Sequence, residues 1–368
     1  MKPLLRFLRR EPVLTIAALA AAVSCFFVPP DREYLAYFDL RTLSLLYCLM
    51  TVVAGLTRAG LFSRMAGALC AGAGSVRRLG LVLVLLSFFS AMLITNDVAL
   101  ITFVPFAVTV LSLAHRPGDL GRIVALQTAA ANLGSMLTPV GNPQNLFLYS
   151  RYGFTMGQFL LLTLPFWGIS MVLCAGATLL LPRAGLEQSG TGQSGTVRTS
   201  AWLHGGLFVL CLLTVLRILP WPIMLAGVVL VLLAADRSLL LEADYPLLLT
   251  FGAFFVFSGN LARIPAVSRL LRGLLEGREY IVSLLTSQVI SNVPAALLLS
   301  GFTEAGKEIV LGVDIGGLGT PIASLASLIS LKLYSRTEGA KTGRFILEFT
   351  LLSLLLLAVL TLVKLILK

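Results

Sequence analysis

Apolar stretches of membrane-spanning length, separated by short polar turns, follow one another along the whole chain. The first fall at about 12–29 and 40–57, then 80–114, 123–150 and 154–182. The runs 123–150 and 152–182 are free of charge apart from their edges, and each exceeds the ~20 residues a helix needs to cross a bilayer. Two shorter stretches at about 202–219 and 221–235 are joined by Pro220-Trp221-Pro222. The stretch 80–114 is different in kind. Arg58, Arg64, Arg77 and Arg78 precede it and His115, Arg116 and Arg122 follow, so both flanks carry the basic signature of the cytoplasmic face. Two full crossings with a turn need ~40 residues, more than the stretch offers. A re-entrant hairpin turning at Thr95-Asn96-Asp97 is therefore predicted, and its turn must be enclosed by protein or line a water-filled cavity.

Polar, helix-breaking residues interrupt the apolar pattern twice in each half. The first half has Thr95-Asn96-Asp97 and then Gly134, Thr138, Pro139, Gly141, Asn142, Pro143 and Asn145. The second has Ser291-Asn292-Val293 and then Asp314, Gly316, Thr320, Pro321, Ser324 and Ser327. The blocks align in order: Asp39 and Arg58 with Asp244 and Arg263, a shift of 205 residues; Asn96 with Asn292, a shift of 196; Thr138-Pro139 with Thr320-Pro321, a shift of 182. Five crossings separate the two starts, an odd number, so the second copy is inverted. The predicted fold class is an all-α polytopic membrane protein with two inverted-topology repeats, each holding a re-entrant hairpin and a broken transmembrane helix. The predicted segments are a first helix in 1–38 and repeat one in 39–182, with hairpin 80–114 and broken helix 123–150. A Gly/Ser/Thr/Gln-rich linker at 183–201 and two connecting helices in 202–243 follow. Repeat two covers 244–368, with hairpin 280–303 and broken helix 314–335.

Composition supports the membrane class. Of 368 residues 57% are hydrophobic and 12% charged, against roughly 25% charged in soluble domains. The net charge of +11 lies in short loops, where it acts as a topology signal and a lipid-headgroup contact, so no nucleic-acid partner is expected. Lys2, Arg6, Arg9 and Arg10 before the first apolar run put the N-terminus in the cytoplasm; no small-residue cleavage site follows, so a retained span is expected over a signal peptide. Cys25, Cys48, Cys70, Cys174 and Cys211 have no metal-like spacing and are read as small core residues. His115 and His204 form no ligand cluster. The stretches 58–78 and 263–279 are both rich in arginine and are predicted as interfacial helices whose guanidinium groups reach the headgroups, Arg58 and Arg263 acting as anchors.

At a broken helix several backbone carbonyls and N–H groups lose their intrahelical partners. The carbonyls suit a small hard cation, and the N-termini of half-helices suit an anion. The candidate substrate- and ion-binding residues are Thr95, Asn96, Asp97, Thr138, Gly141, Asn142 and Asn145 with Ser291, Asn292, Thr320, Ser324 and Ser327, and Asn96, Gly141 and Asn142 form a possible Na+ site. Matched breaks of this kind mark the midplane site of a secondary transporter. An intramembrane carboxylate is a functional candidate by default, which assigns Asp97 to coupling, whereas Asp314 also reads as a solvated cap near the interface. The reading from another class, an intramembrane aspartyl protease using Asp97 and Asp314, lacks a Gly-x-Gly-Asp context and leaves the paired asparagines unexplained.

The tips Thr95-Asn96-Asp97 and Ser291-Asn292-Val293 resemble the Ser-Asn-Thr tips of the divalent-anion/sodium symporters. The stretch from Gly134 to Asn145 is similar to the Gly-Thr-Pro-Pro-Asn-type break of the ion transporter superfamily, which includes citrate transporters and arsenite permeases. The resemblance spans about 39–335. It implies a non-enzymatic transporter of a small anion, a di- or tricarboxylate or an oxyanion. It further implies coupling to Na+ or H+ without other cofactors, an elevator-type movement, a homodimer in the cytoplasmic membrane, and horizontal arm helices at 58–78 and 263–279. Two positions depart from the pattern: Asp97 and Val293 stand where a threonine is expected, and Ala323-Ser324-Leu325 replaces a Gly-Asn/Thr-Pro run. A metalloid efflux permease or a Na+/H+ antiporter, with Asp97 carrying the proton, is the alternative.

Overall fold

The computed structural model describes residues 11–70, 73–114, 116–185 and 200–367. The basic residues Lys2, Arg6, Arg9 and Arg10, His115 and most of the 183–201 linker lie outside the described residues. Among the described residues no strand forms; a single antiparallel bridge joins Ser75 to Gly185.

The first half contains α1 (Pro12–Phe27), α2 (Leu40–Arg58), α3 (Leu61–Cys70), α4 (Val76–Ile94), α5 (Asn96–Leu113), α6 (Pro117–Ser135), α7 (Pro143–Arg151) and α8 (Met156–Ala177). After the linker come α9 (Ser200–Val215) and α10 (Trp221–Ala235), then α11 (Tyr245–Arg263), α12 (Pro265–Leu275), α13 (Glu279–Ile290) and α14 (Asn292–Leu299). The chain ends with α15 (Gly306–Gly316), α16 (Leu325–Ser335) and α17 (Thr342–Ile366). By length and composition α2, α4, α8, α11 and α17 can each cross a bilayer, so the chain is a polytopic helical membrane protein.

The two hairpins are α4–α5 and α13–α14, and each turns on one residue with the same backbone. Thr95 has φ 74° and ψ 153°, and Ser291 has φ 73° and ψ 154°. Side chains other than glycine rarely occupy this region, at a cost of ~1–3 kcal/mol each. The arms of the second hairpin, 12 and 8 residues, are ~18 and ~12 Å long, too short for a ~30 Å bilayer core. The arms of the first, 19 and 18 residues, are each close to a full crossing. The length argument for re-entry therefore holds for the second hairpin alone; for the first only the basic flanks argue it.

The broken helices are α6–α7 and α15–α16, parted by short turns at Pro139–Gly141 and Pro321–Ala323. Both begin earlier than the apolar pattern indicates, at Pro117 and Gly306 instead of 123 and 314. Their first turns carry charge that reads as loop, yet Asp119 pairs with Arg116 and Glu308 is held by Lys364 from α17 at 2.9 Å.

Each broken helix lies against the first arm of its own hairpin with almost no space between the backbones. A Cβ on Gly134 would stand 2.0 Å from the Phe88 carbonyl oxygen, and one on Gly316 would stand 2.9 Å from Leu284 Cα. Phe88 and Leu284, like Gly134 and Gly316, occupy matching places in the two halves. The apolar core has two parts, and α15 serves both: Leu311 and Ile315 belong to one, Ile309, Val310 and Val313 to the other.

Ion pairs tie the ends of α2 and α11 together crosswise. Arg58, closing α2, reaches Asp236 at 2.7 Å and also Glu242, both just before α11. Arg263, closing α11, reaches Asp31 at 2.7 Å and Glu33 at 3.4 Å, both just before α2. The C-terminus of each helix thus meets the N-terminal approach of the other, so α2 and α11 run antiparallel. Each opens with an aspartate cap, Asp39 to the Thr42 N–H and Asp244 to the Leu247 N–H. Arg263 holds the Asp31 carboxyl below its usual range by hydrogen bonding; the Ser238 hydroxyl and then Arg58 do the same for Asp236. A depressed carboxylate contributes at neutral pH and loses its contribution as pH falls through its folded-state value. These exposed pairs set direction more than stability.

Gly134→Ala should destabilise the protein by at least ~1–3 kcal/mol, because its nearest neighbour is backbone that cannot rotate away. Gly316→Ala should cost less. Thermal unfolding in detergent measures both, and wild-type stability for Gly134→Ala would contradict this packing.

Candidate functional site

Four helices begin at one point in the interior. The first two residues of α5 (Asn96, Asp97), α7 (Pro143, Gln144), α14 (Asn292, Val293) and α16 (Leu325, Ala326) all line a small cavity of ≈ 10 Å³, together with Ser324 and Leu247. A volume near 10–15 Å³ holds about one water molecule. Each N-terminus brings N–H groups without intrahelical acceptors and a partial positive charge. Both hairpin tips and both helix breaks thus meet at one place, where they can hold the oxygens of an anion.

The Asn132 side chain, at the end of α6, binds this place together. Its Oδ1 accepts from Asn96 Nδ2 at 3.0 Å and from Ser324 Oγ at 3.1 Å, and its Nδ2 donates to Ser327 Oγ at 3.0 Å. One turn earlier Thr128 Oγ1 donates to Ser330 Oγ at 2.8 Å, continuing the seam between α6 and α16. On the other side Asn142 caps α7, its Oδ1 accepting from the Asn145 N–H at 2.8 Å. Its Nδ2 donates to Ser135 Oγ at 3.1 Å and to Asp314 Oδ1 at 3.4 Å.

A larger cavity of ≈ 410 Å³ lies beside the small one. Leu46, Leu49, Met50 and Val53 of α2 form its apolar wall, Thr95, Asp97 and Asn142 its polar floor, and Arg58, Glu242 and Asp244 also line it. Asp97 and Pro143 line both cavities. Among the described residues no ion pair to Asp97 forms; its own N–H donates to Asn96 Oδ1 at 3.0 Å.

The sequence-predicted residues divide accordingly. Asn96, Asp97, Asn292 and Ser324 line the small cavity, and Thr95, Asp97 and Asn142 the large one. Ser291 sits at the second tip, its hydroxyl donating to Asn292 Oδ1 at 3.4 Å. Ser327 and Asn145 stand one turn behind, fully buried, with Asn145 Nδ2 donating to the Met136 carbonyl at 3.4 Å. Thr138 is turned away, its hydroxyl bonded to the Met92 carbonyl. Thr320 donates its N–H to Gln288 Oε1 at 3.3 Å, and its own hydroxyl is buried without a partner. Gly141 is a packing position, where a Cβ would stand 2.0 Å from the Ser135 carbonyl oxygen.

One expectation is overturned. Asp314 is not a solvated cap near the interface: it is 3% exposed and faces Asn142 of the other half. Nor does it line either cavity that Asp97 lines, so the two carboxylates named for a protease occupy different surroundings. Asn132 was the residue sequence reasoning left without a role. The signal was present, because the shift of 182 residues that matches Thr138 with Thr320 also matches Asn132 with Asp314.

Apolar crossing helices, paired tips and paired breaks define a polytopic membrane protein of broken-helix architecture. Residues 5–305 match the model of the Citrate transporter family, and the chain belongs to that family, within the ion transporter superfamily. It is a membrane transporter. It is 30% identical over 344 residues to the inner membrane protein YbiR of Escherichia coli (strain K12), covering 90% of each chain. It is 34% identical over 274 residues to an uncharacterized transporter of Methanocaldococcus jannaschii, covering 74% of each. A shorter match, 31% over 153 residues, links it to the silicon efflux transporter LSI3 of Oryza sativa subsp. japonica, covering 41% of this chain and 31% of that one.

Asn96→Ala removes one donor to Asn132, and Asn292→Ala removes the matching amide at the second tip. Each should weaken solute binding by about 10- to 100-fold, the equivalent of one buried hydrogen bond to a charged group, with folding retained. Solute affinity of the purified variants measures this, and wild-type affinity in both would remove the tips from the site.

Proposed function

We propose that the protein is a secondary active transporter of a small anionic solute rich in oxygen, a di- or tricarboxylate or an oxyanion. It works in the cytoplasmic membrane, coupled to an inward gradient of Na+ or H+. The observation that carries the reading is the convergence of four helix N-termini on one small cavity beside a large one. That arrangement favours negative charge without a fixed lysine or arginine. A cavity of ≈ 10 Å³ is too small for such a solute, so the solute is held where the tips and breaks open into the larger cavity, and site and solute change sides together. We assign that motion to an elevator-type displacement of the hairpins and broken helices against α2 and α11, in a homodimer.

Two inverted repeats underlie the scheme. The matched φ values at Thr95 and Ser291, the matched glycine contacts and the antiparallel α2 and α11 support it. The N-terminus is cytoplasmic, and the first hairpin enters from the cytoplasm.

A second reading has its own support. Asp97 lies in the wall of both cavities, and its charge opposes a multivalent anion, while the match to a silicon efflux transporter extends over 153 residues. An efflux permease for a weak hydroxy acid carried in neutral form, exchanging a proton at Asp97, satisfies both facts.

Single cysteines at Arg78 and Arg116 should both react with an impermeant thiol reagent from the cytoplasm, and cysteines at Arg278 and Glu304 from the outside. Reaction of either pair from opposite faces would end the hairpin assignment.

Asp97→Asn keeps the shape and removes the charge. Uptake into proteoliposomes of a panel of carboxylates, oxyanions and weak hydroxy acids, under separate Na+ and proton gradients, tests both readings. The variant should still bind solute, yet lose most of its response to the driving gradient, because the charge that takes up the cation is gone. Proton-driven export of a neutral hydroxy acid by the wild type would select the second reading. Transport by neither route would refute both.

A further inference from the structure

The two broken helices meet each other twice, in matching positions with unequal chemistry. With the shift of 182 residues, Asn132, Asn142 and Asn145 correspond to Asp314, Ser324 and Ser327. At the first meeting, Asn132 faces Ser324 and Ser327 of the other half, and both ends of its carboxamide are hydrogen-bonded. At the second, Asp314 faces the amide side chains of Asn142, Gln144 and Asn145 of the other half. Here two oxygens have no partner: Asp314 Oδ2 and Asn145 Oδ1 are both buried without a hydrogen bond. Asp314 is 3% exposed and Asn145 0%. A carboxylate in such a place stays ionised only beside a compensating positive charge and otherwise takes up a proton; no lysine or arginine pairs with it among the described residues.

We infer that Asp314 and Asn145 form a buried binding site for a hard monovalent cation, Na+, bridging α15 to α7. The two atoms left without a partner are both oxygens, which selects a hard ion over a transition metal. One carboxylate matches one positive charge, so a monovalent ion leaves the second meeting point neutral, as the first already is. Asp314 Oδ2 and Asn145 Oδ1 are the ligands, and Asn142 Nδ2 steadies the other carboxylate oxygen. The ion ties the first half of one broken helix to the second half of the other. The site stands on the buried oxygens alone; that its ion is used in coupling, in addition to the cation taken up at Asp97, rests on the transporter reading.

Thermal unfolding of the full-length protein in detergent tests it, in NaCl, KCl and choline chloride at equal ionic strength. The wild type should be stabilised saturably by Na+ over choline and over K+. Asp314→Asn should lose the response and be at least as stable in choline chloride as the wild type, since the uncompensated charge has gone. A merely structural aspartate would instead lower stability equally in every salt. Asn145→Leu removes the neutral ligand and should raise the Na+ concentration for half of the effect by roughly tenfold or more; this variant decides the matter should Asp314→Asn fail to fold. An unchanged Na+ response in either variant, or no Na+ preference in the wild type, overturns the site. Wild-type protein that transports nothing in proteoliposomes, yet keeps a Na+ response dependent on Asp314, would sink the transport reading and leave the cation site standing.

Discussion

A helix opened inside a bilayer must find new partners for every polar group it frees, and the Asn132 carboxamide is where this chain meets that demand. It accepts from a hairpin tip and from one broken helix, and donates into the same broken helix one turn on. Two consecutive helices, α5 and α6, and the distant α16 are therefore held in one arrangement by a single planar group. Water cannot replace it in the low-dielectric interior, where an unpaired buried amide costs ~1–3 kcal/mol. The convergence of helix N-termini around the small cavity depends on this node, because it holds the first tip against the second broken helix.

The strain at the tips fits the same economy of space. Thr95 and Ser291 adopt a backbone that glycine would take without cost. Their side chains are kept at that expense, and Thr95 lines the large cavity. Close packing of Gly134 and Gly316 against the hairpin arms makes each hairpin and the first half of its broken helix one rigid piece. Such a piece moves as a body or not at all, which suits alternating exposure of a site without loss of its internal bonds.

The crossed ion pairs of Arg58 and Arg263 act at a different level. They lie at the ends of α2 and α11, partly exposed, and fix the antiparallel placement of the two helices. To the anchoring role read from sequence the structure adds carboxylate partners from the opposite half of the chain. Arg58 thereby also lines the large cavity with Glu242 and Asp244.

The membrane class and the places where the helices are interrupted, at Thr95, Pro139, Ser291 and Pro321, were legible in the sequence. These depend on local chemistry: apolar length, basic flanks, and the helix-breaking tendency of Pro, Gly and Asn repeated at matching spacing. Helix starts at Pro117 and Gly306 were not legible, because the charges of their first turns read as loop; Asp119 is paired by Arg116 just before it and Glu308 by Lys364, remote in the chain. The neutral hub at Asn132, the burial of Asp314 and the retreat of Thr138 and Gly141 into packing were decided by tertiary structure alone. An asparagine, an aspartate or a threonine looks the same in a sequence whether it faces a cavity, a carbonyl or another amide. Only the close approach of helices whose contacting residues lie 172 to 202 apart in the chain assigns each its partner.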